Sequence, residues 1–385
     1  MIERERVLES LEKYDLSKAK IGVLASHSAL DVCDGAVDEG FQTLTICEKG
    51  REEPYTRYFK AVRSADGTLI RGVVDKAVVL DKFKEILEPK NQDMIIGENA
   101  IFAPHRSLVA YAGIDGVEND FYVPIVGSRN LLRSEERGED RDYYWMLEKM
   151  DLPFPKKLEN PEDIDFLVMV KLPHKIKRLE RGFFTAASYK EYIEEVEVLL
   201  RNDVITEEDL EKARIEEYIV GPVFNFDFFY SPLTEGAEKL ELLGIDWRFE
   251  TSLDGHVRLP APQQMTLLES QATPEYTVCG HNSATLRESL LRKVFPLAEK
   301  YVEGTKEYYP PGMIGAFTLQ TCVDKDLNFW IYDVSPRVGG GTNVHLAVGH
   351  PYGNSIWRTN MSTGRRLALE IKRGIEMDAM EKIVT

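Results

Sequence analysis

The sequence predicts a protein of the α/β and α+β classes, with a parallel sheet near its N-terminus and antiparallel sheets in its later part. The first observation is a β-α-β pattern at 21–47, where two short apolar runs flank a helical pattern. Such a unit implies parallel strands. The second is a pair of aromatic and β-branched runs at 316–334 that flank a polar turn, which indicates a β-hairpin. The third is the length of 385 residues, which predicts two or three domains.

Composition and charge limit the classes of function. There are 48 Lys and Arg residues against 65 Asp and Glu residues, so the net charge is −17, which argues against a nucleic-acid surface. No apolar run approaches the ~18 residues of a membrane span, and the N-terminal segment does not have the pattern of a signal peptide. We therefore expect a cytoplasmic protein without nucleic-acid or membrane partners. The cysteines form no CxxC pair and are expected to be buried, reduced thiols: Cys33, Cys47, Cys279 and Cys322.

The first 130 residues read as alternating helices and strands. Helical spacing of apolar residues predicts helices at 2–15 and 30–39, and Ser26 or Ser28 is expected to cap the second of them. Short apolar runs predict core strands at 21–25, 42–47 and 93–97.

Polar residues follow two of these predicted strands. His27 comes directly after the first strand, and His105 and Ser107 come after the third. Loops at the carboxyl ends of parallel strands bind ligands, and helix N-termini favour anions. We therefore expect the two clusters to meet at one site. For a lone histidine, a surface or capping role is the alternative.

The middle of the chain carries a buried lysine and a cationic loop. Lys171 ends an apolar strand pattern at 166–172, where a charge is costly unless it meets an anion. Loop 174–184 is rich in Lys and Arg, which fits either a solvated charged hairpin or a loop that covers phosphate. Thr206 begins a capping box before a short helix. Further helices are predicted at 143–150, 189–200 and 286–306, the last in two segments.

The remaining strand patterns lead to the hairpin. Strands are predicted at 215–221, 223–230, 240–245, 248–251 and 257–259, with Arg248, Glu250 and Arg258 near one face. Cys279 to His281 are expected to precede the helix that starts at 286, and Ser362 is expected to cap a last helix that ends at 372.

The hairpin at 316–334 carries the residue types of a metal and phosphate site. Gln320 and Asp333 lie on its two strands, and Ser335, Arg337 and a run of three glycines follow. Mg²⁺ prefers oxygen ligands and usually takes one or two carboxylates together with phosphate oxygens. Arg337 offers a planar fork for a phosphate. The alternative is a buried hairpin that ends in a glycine-rich loop.

Long strings in the chain resemble the archaeal 5-formaminoimidazole-4-carboxamide ribonucleotide synthetase family of the ATP-grasp superfamily, nearly end to end. The most specific are SHSALDVCDGAVDEGF (26–41), ELLGIDWRFETSLDGHVRLPA (241–261), LRESLL (286–291) and PPGMIGAF (310–317), with IEEYIVG (215–221) and FFYSPL (228–233) in support. The resemblance implies an ATP-grasp fold behind an N-terminal parallel-sheet domain. It divides the chain into an N-terminal domain at 1–130, a small lobe with its linker at 131–225 and a catalytic lobe at 226–385.

The resemblance also implies an activity. This family formylates aminoimidazole carboxamide ribonucleotide (AICAR) with formate and ATP, through formyl phosphate, and gives FAICAR, ADP and phosphate for IMP biosynthesis. The implied partners are AICAR, formate and ATP with Mg²⁺ or Mn²⁺, and a homo-oligomer is expected.

Site residues follow from the resemblance position by position. The acceptor nucleotide is expected to bind His27, Ser107 and His281. Arg337 and Glu250 are the expected catalytic residues, and Gln320 and Asp333 the expected metal ligands. The ATP cleft is expected to be lined by Lys171, Glu216, Glu217, Tyr218, Ile219 and Glu250.

Three departures from the family pattern leave alternatives open. Loop 174–184 has Gly182 as its only glycine where the family is glycine-rich, His281 replaces an asparagine, and Asp333 replaces a glutamate. Two other readings therefore remain: a paralogue that ligates a different acid and amine, and a non-catalytic nucleotide-binding homologue.

Overall fold

The computed structural model describes residues 2–172, 183–268 and 277–385. Strands in this part of the chain are β1 Lys20–Leu24, β2 Gln42–Glu48, β3 Val62–Arg63, β4 Leu69–Arg71, β5 Lys76–Leu80, β6 Ala100–Phe102, β7 Lys157–Leu158, β8 Val168–Lys171, β9 Phe183–Ala186, β10 Arg214–Glu217, β11 Val223–Tyr230, β12 Leu240–Glu250, β13 Val278–Ser283, β14 Gly315–Val323 and β15 Phe329–Ser335.

The helices of the same residues surround three larger sheets. They are α1 Arg4–Leu11, α2 Ala29–Asp38, α3 Pro89–Gly97, α4 Arg106–Ala112, α5 Ile114–Asn119, α6 Tyr143–Lys149, α7 Tyr189–Arg201, α8 Glu207–Glu211, α9 Thr251–Arg258, α10 Ala261–Gln264, α11 Glu288–Tyr308, α12 Pro351–Trp357 and α13 Thr363–Glu376. Among these helices, none combines the length and the apolar character needed to cross a bilayer.

The first sheet is parallel, as predicted, in the order β5-β2-β1-β6. The prediction of a strand at 93–97 is wrong, because these residues end helix α3 and the strand follows at β6. Pro89 starts that helix, where its missing N–H costs nothing, and Gln92, Ile95 and Ile96 turn one helical face into the core.

The second sheet is antiparallel, in the order β7-β10-β8-β9, and it packs on α7 through a separate apolar core. Ser188 begins α7, since its side chain accepts a hydrogen bond from the amide of Glu191. The capping box at Thr206 is confirmed, with Asp209 as its reciprocal partner. The cationic residues of loop 174–184 up to Gly182 lie outside the described residues.

The third sheet is antiparallel, in the order β13-β12-β11-β14-β15, and its β14–β15 hairpin confirms the predicted one. The two strands predicted at 240–245 and 248–251 are one continuous strand, β12. The strand at 257–259 is wrong because α9 covers most of it, so Arg258 does not share a sheet face with Arg248. The two predicted segments at 286–306 form the single helix α11, with Pro296 inside it.

The C-terminal helix returns to the first sheet. Ser362 caps α13, as predicted, by accepting from the amide of Arg365. Helices α13 and α2 approach so closely that a side chain at Gly35 or Gly364 would overlap the backbone of the other helix. Asp31 strengthens the contact by accepting from the amide of Gly364 at 3.0 Å. The last segment of the chain therefore helps to build the N-terminal core.

Burial of the cysteines follows the prediction at three of four positions. Cys33, Cys47 and Cys322 are buried thiols, and none of the four forms a disulfide. Cys279 is exposed, because it lies on β13 at the edge of the third sheet. Residues 279–281 precede the helix, as expected, and they belong to β13.

Candidate active site

One face of the third sheet carries a row of polar side chains that crosses all five strands. Cross-strand partners are Ser283 with Asp246, Asp246 with Asn225, Asn225 with Gln320, and Gln320 with Asp333. Directly opposite residues project to the same side of a sheet. Residues that alternate with them, such as Phe226, Ile245, Leu319 and Val334, belong to the apolar core on the other side. We call the polar side the polar face.

A cavity opens on the polar face. Its walls bring one residue of the N-terminal part of the chain together with the sheet and the glycine-rich loop after β15. The lining residues are His27, Asn225, Asp246, Arg248, Thr318, Gln320, Ser335, Arg337, Gly339 and Gly340.

The run of three glycines lets this loop lie directly on the polar face. A Cβ atom at Gly339 would lie 2.6 Å from the hydroxyl of Thr318, and one at Gly341 would overlap the carboxylate of Asp246. A Cβ atom at Gly340 would lie 3.0 Å from Nε2 of His27. Glycine is therefore required here for close approach of the backbone.

The two strand-end clusters of the first sheet converge, as expected. The rings of His27 and His105 stack with centroids 5.4 Å apart. His27 has a left-handed backbone with φ of 54°, a conformation that non-glycine residues adopt mainly where the surroundings hold them in it. Ser28 precedes α2, but its hydroxyl donates to the carbonyl of Gly339 and makes no capping bond. This replaces the predicted serine cap with a contact between the two halves of the site.

His105 positions its neighbours and does not line the cavity. Its Nδ1 accepts from the amide of Ser107 at 3.2 Å, so Nε2 carries the proton and donates to the carbonyl of Leu24 at 2.8 Å. Burial lowers the pKa of His105 to about 4 and keeps the ring neutral. Burial also lowers the pKa of His27, and Arg337 adds to that effect. Ser107 is buried beside His105, outside the cavity lining.

The two arginines of the site are held in place, Arg337 by an ion pair and Arg248 by a hydrogen bond to a neutral amide. Nε of Arg337 donates to Oε2 of Glu135 at 3.2 Å, and both side chains are buried. Arg248 donates to Oε1 of Gln320. Glu135 was not predicted from the sequence, where it belongs to an unremarkable charged segment.

Lys171 belongs to a second buried cluster. Its Nζ lies 2.5 Å from Oε1 of Glu216 and 2.5 Å from the hydroxyl of Tyr144, which donates to Oε2 of Glu216 at 2.6 Å. Burial lowers the pKa of Lys171, while Glu216 opposes this. Cross-strand pairing of β8 with β10 brings Lys171 and Glu216 to one side of the second sheet.

The other predicted ATP residues follow β10. Glu217 ends that strand, and Tyr218 and Ile219 connect it to β11. The amide of Tyr218 donates to the carbonyl of Leu167, so that amide is already engaged. Glu250 ends β12 and is not among the residues that line the cavity.

Gln320 and Asp333 suit a metal ion that arrives with phosphate. They are direct cross-strand partners on the polar face, so an amide and a carboxylate project to one side. The amide oxygen of Gln320 accepts from Arg248, which a metal ion bound there would displace. No group of three or more His, Cys, Asp or Glu side chains suited to a metal occurs in the described part of the chain. A protein site with one carboxylate fits Mg²⁺ whose remaining ligands are phosphate oxygens and water.

Asp227 and Asp246 are site residues that sequence reasoning missed. Both carboxyl groups are buried on the polar face. Burial and the charge of Asp246 raise the pKa of Asp227 well above its usual value, and burial raises the pKa of Asp246 to about 6. The available signal was the pattern Asn225-Phe-Asp227, two polar residues that alternate with phenylalanines in an apolar strand.

His281 borders the same pair. It is the cross-strand partner of Arg248, and its Nε2 lies 4.0 Å from Oδ1 of Asp246. The residue that the resemblance assigns to the acceptor nucleotide therefore lies at the edge of the polar face.

The chain is similar to known protein families and to curated proteins. Residues 21–158 match a family described as a protein of unknown function (DUF1246), and residues 191–385 match a domain of unknown function (DUF1297). Curated relatives are named 5-formaminoimidazole-4-carboxamide-1-(beta)-D-ribofuranosyl 5'-monophosphate synthetase. Those of Methanobrevibacter smithii and Methanocaldococcus jannaschii are each 40% identical over the whole chain and over 99% and 100% of their own lengths.

Solved structures agree with these relatives. The IMP biosynthesis protein PurP from Thermococcus kodakaraensis superposes with a TM-score of 0.68 at 28% identity, over 95% of this chain and all of that one. An ADP complex of N5-carboxyaminoimidazole ribonucleotide synthetase superposes with a TM-score of 0.56 at 12% identity, over 89% of this chain and 77% of that one, and shows the shared ATP-grasp fold. The chain therefore belongs to the 5-formaminoimidazole-4-carboxamide ribonucleotide synthetase family.

Proposed function

We propose that this protein formylates AICAR to FAICAR in IMP biosynthesis, with formate and ATP as co-substrates, formyl phosphate as intermediate, and ADP and phosphate as products. The observation that carries the proposal is the cavity on the polar face. It holds the residues expected to bind an acceptor nucleotide, such as His27, beside those expected to handle a phosphoryl group, Gln320 and Arg337. Full-length relatives that carry this activity in their names support it.

The chemistry requires positioning and neutralisation of charge. Phosphorylation converts formate, a poor electrophile, into an acyl phosphate with a good leaving group. Arg337 is fixed by Glu135 and can face the phosphate oxygens as a planar donor. The loop of Gly339 to Gly341 covers the polar face, which limits the access of water to a hydrolysable intermediate.

ATP and a divalent cation, Mg²⁺ or Mn²⁺, are expected on the side of the cavity nearer to the second sheet. Lys171 would face the nucleotide phosphates, and Gln320 and Asp333 would hold the metal against them. The cation neutralises phosphate charge when it is bound. Lys171 and Glu216 start as a buried pair, so binding of an anion would exchange one partner of the lysine for another.

The direct test measures ADP and phosphate release, together with formylated product, while ATP, Mg²⁺, formate and AICAR are each omitted in turn. We expect product only when all four are present. ADP release that needs a different amine or acid would favour a paralogue. A well-folded protein that binds ATP but releases no ADP with any acceptor would overturn the enzymatic proposal.

His281→Ala is expected to raise the apparent KM for AICAR about tenfold, with little change in the KM for ATP, because His281 borders the acceptor side of the cavity. Loss of one contact to a substrate typically costs about 1.4 kcal/mol, which corresponds to a factor of 10. Steady-state kinetics with each substrate varied separately measure the effect. Asn282→Ala is the matched control, since Asn282 points to the other side of β13. An unchanged KM for AICAR in His281→Ala would contradict the assignment.

A homo-oligomeric state and a cytoplasmic location are also proposed, from the resemblance and from the composition. Light scattering of the purified protein across a range of concentrations tests the first of these.

A further inference from the structure

Three buried polar side chains on the polar face form what we call the acceptor cluster: Asn225, Asp227 and Asp246. All three are at most 3% exposed. Nδ2 of Asn225 donates to Oδ1 of Asp246 at 2.9 Å, and the hydroxyl of Thr318 donates to Oδ1 of Asp227 at 2.8 Å. Asn225 and Asp246 line the cavity, so the cluster faces the space where substrates are expected.

Two acceptor atoms of this cluster have no donor among the described residues. They are Oδ1 of Asn225 and Oδ2 of Asp227. The amide of Asn225 cannot be turned around to improve this, because its NH₂ group is held by the Asp246 carboxylate. Buried acceptors without donors are rare in folded proteins, which points to a donor supplied by a ligand or by a proton.

A proton on Oδ2 of Asp227 accounts for one of these two acceptor atoms. Two neighbouring buried carboxylates cannot both be ionised at low cost, so one of them holds a proton. Asp227 is the protonated member, because Asp31 adds a negative charge on its side while Asn225 and Arg248 stabilise the negative charge of Asp246. The protonated Asp227 then donates a hydrogen bond to Asp246, which remains a carboxylate. His281 is the other titratable group at this carboxylate.

The free oxygen of Asn225 and the carboxylate of Asp246 together match a primary amine. An NH₂ group has two N–H donors, and these two acceptors are side by side on adjacent strands. Asn225 is also the direct partner of Gln320, which is expected to contact the phosphorylated side. An amine held at Asn225 therefore lies within one strand spacing, about 4.8 Å, of the expected position of the activated acid.

We propose that Asn225 and Asp246 bind the amine of the acceptor substrate and that Asp246 is the general base that removes its proton during acyl transfer. This inference rests on the proposed function. It adds a catalytic residue that is neither a metal ligand nor part of the ATP cleft.

The amine nitrogen forms a bond to the formyl carbon, and the bond between that carbon and the phosphate oxygen breaks. The electron pair of the broken bond leaves with the phosphate. One N–H proton passes to a carboxylate oxygen of Asp246, so the amide product is neutral and the pair with Asp227 holds two protons until one is released.

Asp246→Asn is the decisive variant. It preserves the shape of the side chain, and its oxygen can still accept from Asn225, but it is not basic. We expect the rate of AICAR formylation to fall about 10²- to 10⁴-fold, the usual contribution of a general base, with a much smaller change in the KM for AICAR. Asp227→Asn, which keeps a donor towards Asp246, should lose less than tenfold.

A second nucleophile distinguishes the loss of general-base catalysis from general damage to the active site. Hydroxylamine attacks acyl phosphates readily without assistance, so formation of formylhydroxamate from ATP, formate and hydroxylamine reports the phosphorylation step alone. We expect this reaction to fall at most a few-fold in Asp246→Asn. Two results for Asp246→Asn would overturn the role of Asp246. One is an equal loss of rate with hydroxylamine and with AICAR, and the other is formylation of AICAR at the wild-type rate. Failure of the wild-type protein to form FAICAR at all would instead overturn the proposed function.

Discussion

Asp333→Asn is expected to reduce ATP-dependent turnover about 10²- to 10³-fold while leaving the fold intact, a loss typical of removing one group that neutralises charge in a transition state. Asp333 is the one carboxylate of the Gln320–Asp333 pair, and it projects from β15 on the polar face beside its partner. Asparagine keeps an oxygen ligand but removes the negative charge that holds a divalent cation. The side chain is only half-buried, so its replacement costs little packing.

ADP release and FAICAR formation, measured over a series of Mg²⁺ concentrations, would check this result. Asp326→Asn is the matched control, because Asp326 is an exposed carboxylate in the turn of the same hairpin. The control should retain wild-type turnover, and both variants should unfold at wild-type denaturant concentrations. Normal turnover of Asp333→Asn at low Mg²⁺ would remove Asp333 from the metal site.

Local pattern predicted the elements that local interactions determine. The hairpin of β14 and β15, the capping box at Thr206 and the cap at Ser362 depend on residues close in sequence, and all are present. The prediction of a strand at 93–97 was wrong because a short apolar run fits a buried strand and a helix face equally well. Its helical partners, Asn91 and Gln92, are polar residues that become buried only in the folded protein.

Sheet topology explains which part of the site could be predicted. Strand ends in a parallel sheet must meet at one edge, so the meeting of His27 and His105 followed from topology. The acceptor cluster needed the register of β11, β12 and β14, which only the folded sheet fixes. Glu135 and Tyr144 were equally out of reach, because they touch Arg337 and Lys171 across long stretches of sequence.

The largest stability effect is expected outside the site, at a buried charge network that joins the third sheet to the C-terminal helix. Arg366 of α13 is fully buried. Its Nε donates to Oε1 of Glu241 on β12 at 2.9 Å, and a terminal nitrogen donates to Oε2 of Glu370 at 2.9 Å. Trp357 and Ser231 donate to the remaining carboxylate oxygens at 2.6 Å each. Arg373, which is partly exposed, places a second cation 3.3 Å from Oε2 of Glu370. Among the described ion pairs, Glu241 therefore depends on Arg366 alone.

Arg366→Met is expected to lower the free energy of unfolding by about 3–5 kcal/mol. Methionine fills much of the space but leaves the buried Glu241 carboxylate without a cation and Glu370 with Arg373 alone. Denaturant unfolding of the purified variant measures this loss. Lys372→Met is the matched control, since Lys372 lies on the same helix, is 42% exposed and pairs with Glu39 at 3.4 Å, so its loss should cost about 0–1 kcal/mol. Adding Glu241→Gln and Glu370→Gln to Arg366→Met should recover part of the stability, because the unpaired charges are then removed. A loss for Arg366→Met no larger than that of the control would show that the carboxylates bind protons or water instead, and that α13 is held to the sheet by apolar packing alone.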